Sequence, residues 1–178
     1  MKYLDEMKKA MKMLSENDKT IFIGQSVKYG GTGLYDTLLD VDDSKKIEWP
    51  VAEYSQLGAS IGLALEGFIV ISLFPRWNFL LMATDQIVNH LDKLAIISEG
   101  RCKPKVIIRV SVGSENPIDP QCQHKGNFSE AFRLMCKNTE IIELNEPSEI
   151  VKAYEKALNR TDGKSTILVE FADHLKTK

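Results

Sequence analysis

Short β-branched and aromatic runs alternate along this chain with segments of helical period, and that alternation restricts the fold more than any single motif does. Thr20-Ile21-Phe22-Ile23, stopped by Gly24, reads as a buried strand. Ile47 to Trp49, Phe68 to Leu73, Lys105 to Val110, Glu140 to Leu144 and Ser165 to Glu170 read the same way. Between them, Leu4, Met7, Met11 and Leu14 space a helix over Lys2 to Asn17, and a short helix is expected from Leu34 to Leu39. The Tyr54 to Leu65 helix turns Leu57, Ile61, Ala64 and Leu65 to one face, and Gly67 is placed to end it. Leu80, Ala83, Ile87, Leu91 and Leu94 predict the longest helix, from Asn78 to Ser98. Ser129 to Lys137 and a proline-started Pro147 to Asn159, with Ile150, Val151, Tyr154 and Leu158 inward, complete the set. The expected architecture is a three-layer α/β sandwich, a mostly parallel six-stranded sheet with helices on both faces. Ligands of such folds gather at the carboxyl ends of the strands.

Composition sets the outer limits. The chain has 178 residues, 43% of them hydrophobic, enough for one domain with a full core. A net charge of −2 with scattered lysines gives no footprint for nucleic acid. The apolar stretch Ile61 to Phe74 is interrupted by Glu66-Gly67 and falls short of the ~20 residues a bilayer requires, so no membrane span is expected. Three cysteines, Cys102, Cys122 and Cys136, show no CxxC spacing and no even count, which suits a reducing cytoplasm. The segment Gly113 to Gly126, with Pro117 and Pro120, reads as a long loop, and long loops in compact domains are often functional.

Glu53, in Trp49-Pro50-Val51-Ala52-Glu53-Tyr54, is a lone carboxylate between an apolar approach and a glycine-spaced helix. A carboxyl buried there is either paired or used for proton chemistry. The alternative is an ordinary acid in the first turn of a helix. Gln25 ends the first strand, where a polar side chain serves a cofactor or a strand-end hydrogen bond. Gly30 and Gly31 suit turn geometry, and no phosphate-loop spacing accompanies them. His90 and His174 lack neighbours at metal-ligand spacing, and no metal site is expected.

Taken in order, Ile23-Gly24-Gln25-Ser26-Val27, Tyr29-Gly30-Gly31, Trp49-Pro50-Val51-Ala52-Glu53, the Gly58/Gly62 helix, Asp85-Gln86-Ile87-Val88-Asn89, Ile107-Ile108-Arg109 and Gln123-His124 carry a resemblance over nearly the whole chain. The chain resembles the pyrimidine-binding domain of thiamine-diphosphate enzymes. Within that group it looks most like the beta subunit of the decarboxylating component of 2-oxoacid dehydrogenases, with transketolase and deoxyxylulose-phosphate synthase as wider relatives. The resemblance implies the thiamine-diphosphate-binding fold and assigns roles. Glu53 hydrogen-bonds a ring nitrogen of the aminopyrimidine and shifts it toward the imino tautomer, which then takes the proton from the thiazolium carbon. Phe79 stacks on the same ring, although Phe74-Pro75-Arg76-Trp77-Asn78-Phe79 leaves open core packing by Phe79 with stacking by Trp77. His124 moves protons at the substrate carbonyl, set against an exposed loop histidine with no role. Gln25 stands where the family often has glutamate, at the cofactor. Pro75 and Lys125-Gly126 depart from the family pattern.

The same resemblance implies what else is needed. The family's Gly-Asp-Gly motif for the diphosphate and Mg²⁺ does not occur in this sequence, and family members continue past the last strand into a further domain, so the sequence is expected to be either a natural minimal module or a fragment of a longer chain. The chain is therefore expected to be one pyrimidine-binding domain over 1–178, using thiamine diphosphate whose Mg²⁺ is held by an alpha-type, diphosphate-binding partner subunit. Its expected substrate is a small 2-oxoacid, with a ketose in transketolase-type ketol transfer and a non-catalytic assembly module as the other readings. Glycines 58 and 62, four apart, permit close approach of another backbone, so an oligomer with the Glu53 to Leu65 and Asn78 to Ser98 helices at interfaces is expected.

Overall fold

The computed structural model describes residues 2–115 and 119–177; Pro117 of the expected long loop lies outside them. Among the described residues six strands form one sheet: β1 (Thr20–Gly24), β2 (Lys46–Glu48), β3 (Ile69–Phe74), β4 (Val106–Val112), β5 (Thr139–Glu143) and β6 (Ser165–Phe171). Their spatial order is β2-β1-β3-β4-β6-β5 and every pairing is parallel, so the sheet is wholly rather than mostly parallel. Each strand reappears at the expected place within a residue or two. Continuous apolar runs can be covered on both sides, which is what a parallel sheet requires.

Alternation along the strands divides the core in two. Phe22, Ile71, Leu73, Ile107 and Leu168 face α1 (Tyr3–Ser15), α2 (Gly33–Asp36) and α7 (Pro147–Asn159). Ile23, Val70, Phe74, Val106, Ile108, Val110, Ile167 and Val169 face α3 (Glu53–Leu65), α4 (Trp77–Leu80) and α6 (Ser129–Met135). Two further short helices are α5 (Leu94–Ile97) and α8 (His174–Thr177). α7 starts with Pro147 in its first turn and a reciprocal capping box between Glu146 and Glu149.

Two expectations are corrected. The Asn78 to Ser98 segment is not one long helix: α4 passes into a 3₁₀ turn at Leu81–Ala83, then a π-helical stretch at Gln86–Leu91, then α5. Leu80, Ala83, Ile87 and Leu91 are buried as their period predicts, but Leu94 is not fully buried and Asp92 is. Asp92 turns inward because its carboxylate accepts the backbone N–H groups of Lys137 and Asn138 at 2.7–3.1 Å. The Asp92 N–H bonds the Ile87 carbonyl five residues back, so the π turn brings Asp92 toward the face of buried Ile87, where an α-helix would set it about 140° away.

On α3 the buried face is Glu53, Gln56, Leu57, Ser60 and Ile61, while Leu65 is exposed. Polar Gln56 displaces the expected apolar stripe because its side-chain amide reaches three oxygens of the sheet. It donates to the Ile23 carbonyl at 3.4 Å, to Ser72 Oγ at 3.1 Å and to the Leu73 carbonyl at 3.0 Å. Gly67 (φ +87°) closes this helix as expected, with the Phe68 N–H bonded to the Leu63 carbonyl.

The α1/α7 side of the sheet holds a buried polar network. Arg109 of β4 donates from Nε and Nη2 to the Glu170 carboxylate of β6 at 3.0 and 3.1 Å, and from Nη1 to Thr37 Oγ1 at 2.7 Å. The Ser111 hydroxyl also donates to Glu170. Tyr3 ties α1 to this end, donating to the Leu144 carbonyl at 2.9 Å. Tyr154, by contrast, is fully buried with no hydrogen-bond partner for its hydroxyl among the described residues, and burial drives its pKa well above the ordinary value. An unpaired buried hydroxyl costs ~1 kcal/mol or more, so Tyr154→Phe is expected to raise stability by about 1 kcal/mol. A drop in the urea midpoint of Tyr154→Phe would show instead that the hydroxyl is bonded.

Candidate active site at the carboxyl end of the sheet

The connections of β1 and β3 leave in opposite directions, β1 to β2 at one edge and β3 toward β4, which makes the carboxyl ends of these two strands the crevice where such sheets bind ligands. Gln25 follows β1 directly. Glu53 opens α3, after β2. Phe79 lies on α4, after β3, and His124 lies in the segment after β4.

Glu53 is 8% exposed. Its Oε1 accepts the Gln25 side-chain amide at 3.0 Å, and Oε2 takes no hydrogen bond from any described residue. The cap position Ala52 supplies no side-chain cap to α3, and Glu53 does not fold back to supply one. The carboxylate thus looks outward from the helix start toward the strand end, with one oxygen held and one open.

What holds Gln25 is a residue the sequence reading passed over. Glu48, last residue of β2, accepts the backbone N–H groups of Ser26 at 2.7 Å, Val27 at 2.8 Å and Lys28 at 2.9 Å. Ser26 takes φ +59°, a left-handed turn that gathers these amides around one carboxylate. A serine in that conformation is strained, and three charge-assisted bonds offset the strain. No local pattern in the sequence marks this clamp, since the sheet brings Glu48 to backbone amides 20–22 residues away.

Phe79 and His124 meet directly. Their ring centroids are 5.0 Å apart with a 59° tilt, and both are half-buried. His124 Nδ1 is buried without a hydrogen-bond partner among the described residues, and its backbone carbonyl accepts Arg76 Nη1 at 3.1 Å. Trp77 does not compete for Phe79's place: it is fully buried, packing on Phe132 at 4.9 Å and Phe128 at 6.4 Å between centroids. Lys125 is bound within its own loop, its ammonium 2.8 Å from Glu115 and 3.0 Å from Asp119. Its hydrogen bond to Glu115 and then that to Asp119 raise its pKa.

Behind these residues, Asp85 accepts from Asn89 at 2.7 Å and from Tyr54 at 3.1 Å, joining the π-helical stretch to α3. Those two bonds, in that order, hold the Asp85 carboxyl below its ordinary pKa. The structure therefore forms two contact pairs, Gln25 with Glu53 and Phe79 with His124. No hydrogen bond or ring contact links one pair to the other among the described residues.

A family model described as transketolase, pyrimidine binding domain, matches residues 3–176. The chain belongs to this family. Among its relatives are beta subunits of the pyruvate dehydrogenase E1 component. That of Rickettsia conorii is 29% identical over 119 residues, covering 65% of this chain and 36% of the relative. The mitochondrial protein of Saccharomyces cerevisiae is 30% identical over 122 residues, covering 65% of this chain and 32% of the relative. That of Caenorhabditis elegans is 27% identical over 165 residues, covering 89% and 45%. The chain thus spans well under two thirds of these proteins. A solved split-gene transketolase, described as an inactive beta4 tetramer, has a TM-score of 0.72 at 13% identity, covering 96% of this chain and 51% of that one, a likeness of fold.

The residues present fit an aminopyrimidine. Oε2 of Glu53 is open to a ring nitrogen, Phe79 offers a half-buried aromatic face, and His124 carries an unsatisfied buried nitrogen. Buried polar atoms are normally paired, so His124 Nδ1, without a partner among the described residues, is a group that a ligand could complete.

Proposed function

We propose that this chain is the pyrimidine-binding part of a thiamine-diphosphate enzyme acting on 2-oxoacids, active with an alpha-type partner chain that binds the diphosphate and its Mg²⁺. The observation that carries the proposal is Glu53: a buried carboxylate with one oxygen fixed by Gln25 and the other unclaimed at the ligand-binding end of the sheet. When bound, the cofactor supplies a nucleophilic carbon for attack on a carbonyl. Glu53 would present Oε2 to the ring nitrogen, its carboxylate buried and oriented by the Gln25 amide on Oε1. Phe79 would present its ring face, and His124 would move a proton through its imidazole. The pyruvate dehydrogenase beta subunits among its relatives support 2-oxoacids as the substrate class.

An oligomeric state follows from the same proposal. A Cβ built on Gly62 meets nothing within 4 Å, so this side of α3 does not pack on its own sheet. Val51, Tyr54 and Met82, at 81%, 50% and 68% exposure, surround the start of α3. A partner subunit laid on that surface would bury them and close the cofactor site. We place the assembly in a reducing compartment, in keeping with three unpaired cysteines.

The test is reconstitution with a diphosphate-binding partner chain, followed by assay of pyruvate decarboxylation with thiamine diphosphate and Mg²⁺. Glu53→Gln is expected to lower turnover by about a hundredfold or more, the usual scale for loss of a positioned proton donor. Turnover close to wild type in that variant would overturn the assignment. Activity with ketose phosphates and none with 2-oxoacids would move the chain to ketol transfer.

A further inference from the structure

The segment that carries His124 is anchored on both sides. On the carboxyl side the backbone at Gly126 runs under the Phe128 ring, so close that a Cβ there would lie 2.5 Å from Cζ. Phe128 in turn packs edge-on against buried Trp77, 6.4 Å between centroids. On the amino side Glu115 is fastened just past the end of β6, its backbone N–H donating to the Asp173 carboxylate at 3.1 and 3.3 Å.

Lys125 joins these two anchored points. Its ammonium lies 2.8 Å from the carboxylate of Glu115, ten residues back, and 3.0 Å from that of Asp119. Arg76 adds a hold on His124 itself, donating from Nη1 to its backbone carbonyl at 3.1 Å. Between these holds the imidazole rests against Phe79, 5.0 Å between ring centroids. The three ion-pairing groups are all partly exposed. Exposed ion pairs are individually weak, but local segments open at little cost, so two pairs sharing one cation are enough to change how often such a segment is in place.

We propose that Lys125 is a positioning residue: its ion pairs with Glu115 and Asp119 staple the segment after β4 and hold the His124 ring on Phe79, which makes that contact sensitive to ionic strength. Its bearing on catalysis rests on the proton-moving role proposed above for His124. The contact itself does not, and it is measured on the full chain without cofactor or partner. Histidine ring protons are followed by NMR at about pH 8.5, above the ordinary titration range of imidazole, with His124 assigned by its loss in His124→Gln. The displacement of its signals between the wild type and Phe79→Leu measures the ring contact. At low salt Lys125→Met is expected to lose about half of that displacement or more with an unchanged urea midpoint, and Lys125→Arg to keep most of it because the charge remains. Between about 10 mM and 1 M NaCl the screening length falls from ~30 to ~3 Å, and the wild type is expected to approach the Lys125→Met value while that variant does not respond. The wild-type salt titration stands even where a variant fails to fold. No displacement in the wild type, the full displacement in Lys125→Met, or the same salt response in both proteins would overturn the proposal. Unchanged turnover of Lys125→Met in the reconstituted enzyme, with the NMR change present, would instead overturn the role given to His124.

Discussion

Arg109→Met is expected to lower the stability of the chain by about 3–5 kcal/mol, because it leaves the Glu170 carboxylate buried without its counter-charge. Arg109 and Glu170 are both essentially inaccessible, and their closest approach is 2.8 Å. Burial opposes the charge on the guanidinium, but the adjacent Glu170 and then Tyr154 outweigh it, and the Arg109 pKa is raised. The sign of the pH dependence follows. A cation with a raised folded pKa contributes stability that is complete below its unfolded pKa and is lost only as pH rises through the folded value. For arginine that window begins above about pH 12, so the Arg109 contribution is constant across ordinary working pH. At this chain length a loss of that size lowers Tm by roughly 10–15 °C.

The double variant Arg109→Met/Glu170→Leu separates burial cost from attraction. Replacing both partners with apolar groups removes the unpaired charge and is often close to neutral. Thr37 keeps its bond to the Leu34 carbonyl, whereas Ser111 loses its acceptor, so a residual deficit of about 1–2 kcal/mol is expected. Guanidinium unfolding of the wild type, both single variants and the double variant measures the coupling directly. A cost below about 1 kcal/mol for Arg109→Met, or a double variant as unstable as the single, would show that the pair does not govern stability here.

This pair also marks what could be read without coordinates. Arg109 interrupts the apolar run Ile107-Ile108-Arg109-Val110, and Glu170 ends Ile167-Leu168-Val169-Glu170. Two opposite charges in buried strands require each other, and the pairing of β4 with β6 supplies the contact. Strand positions were legible because continuous apolar runs bounded by glycine and polar residues have few other uses. The broken Asn78 to Ser98 segment was not, since hydrophobic period specifies which residues face inward but not an inward aspartate that serves a turn 45 residues away. At the site, the glycine-spaced helix behind Glu53 and the order of motifs were visible. The clamp at Glu48 and the fork of Arg76 were not, because each depends on backbone groups brought together by the sheet and not on any local pattern.

Gly24→Ala is expected to cost about 3 kcal/mol and to disturb the Glu53 site at once. A Cβ at position 24 would lie 2.4 Å from the Leu73 carbonyl oxygen and 3.1 Å from Leu73 Cβ. The obstacle is backbone, in the neighbouring strand and at the paired register position, so no side-chain rotation relieves it. Leu73 cannot retreat cheaply, since the same carbonyl oxygen accepts the Gln56 amide at 3.0 Å. On the other side, the Gly24 carbonyl accepts the Trp49 N–H at 2.8 Å, which ties β1 to the end of β2. A methyl group at Gly24 must therefore part β1 from β3, or β1 from β2, immediately before Gln25. Either shift lengthens the 3.0 Å bond from Gln25 to Glu53. Urea unfolding would register the lost stability, and hydrogen exchange at Ser26 to Lys28 would register the loosened clamp. Gly24→Ala with a wild-type midpoint and unchanged exchange would mean that the strands yield at this point, and the tight approach of β1 to β3 would lose its place as the element that positions Gln25.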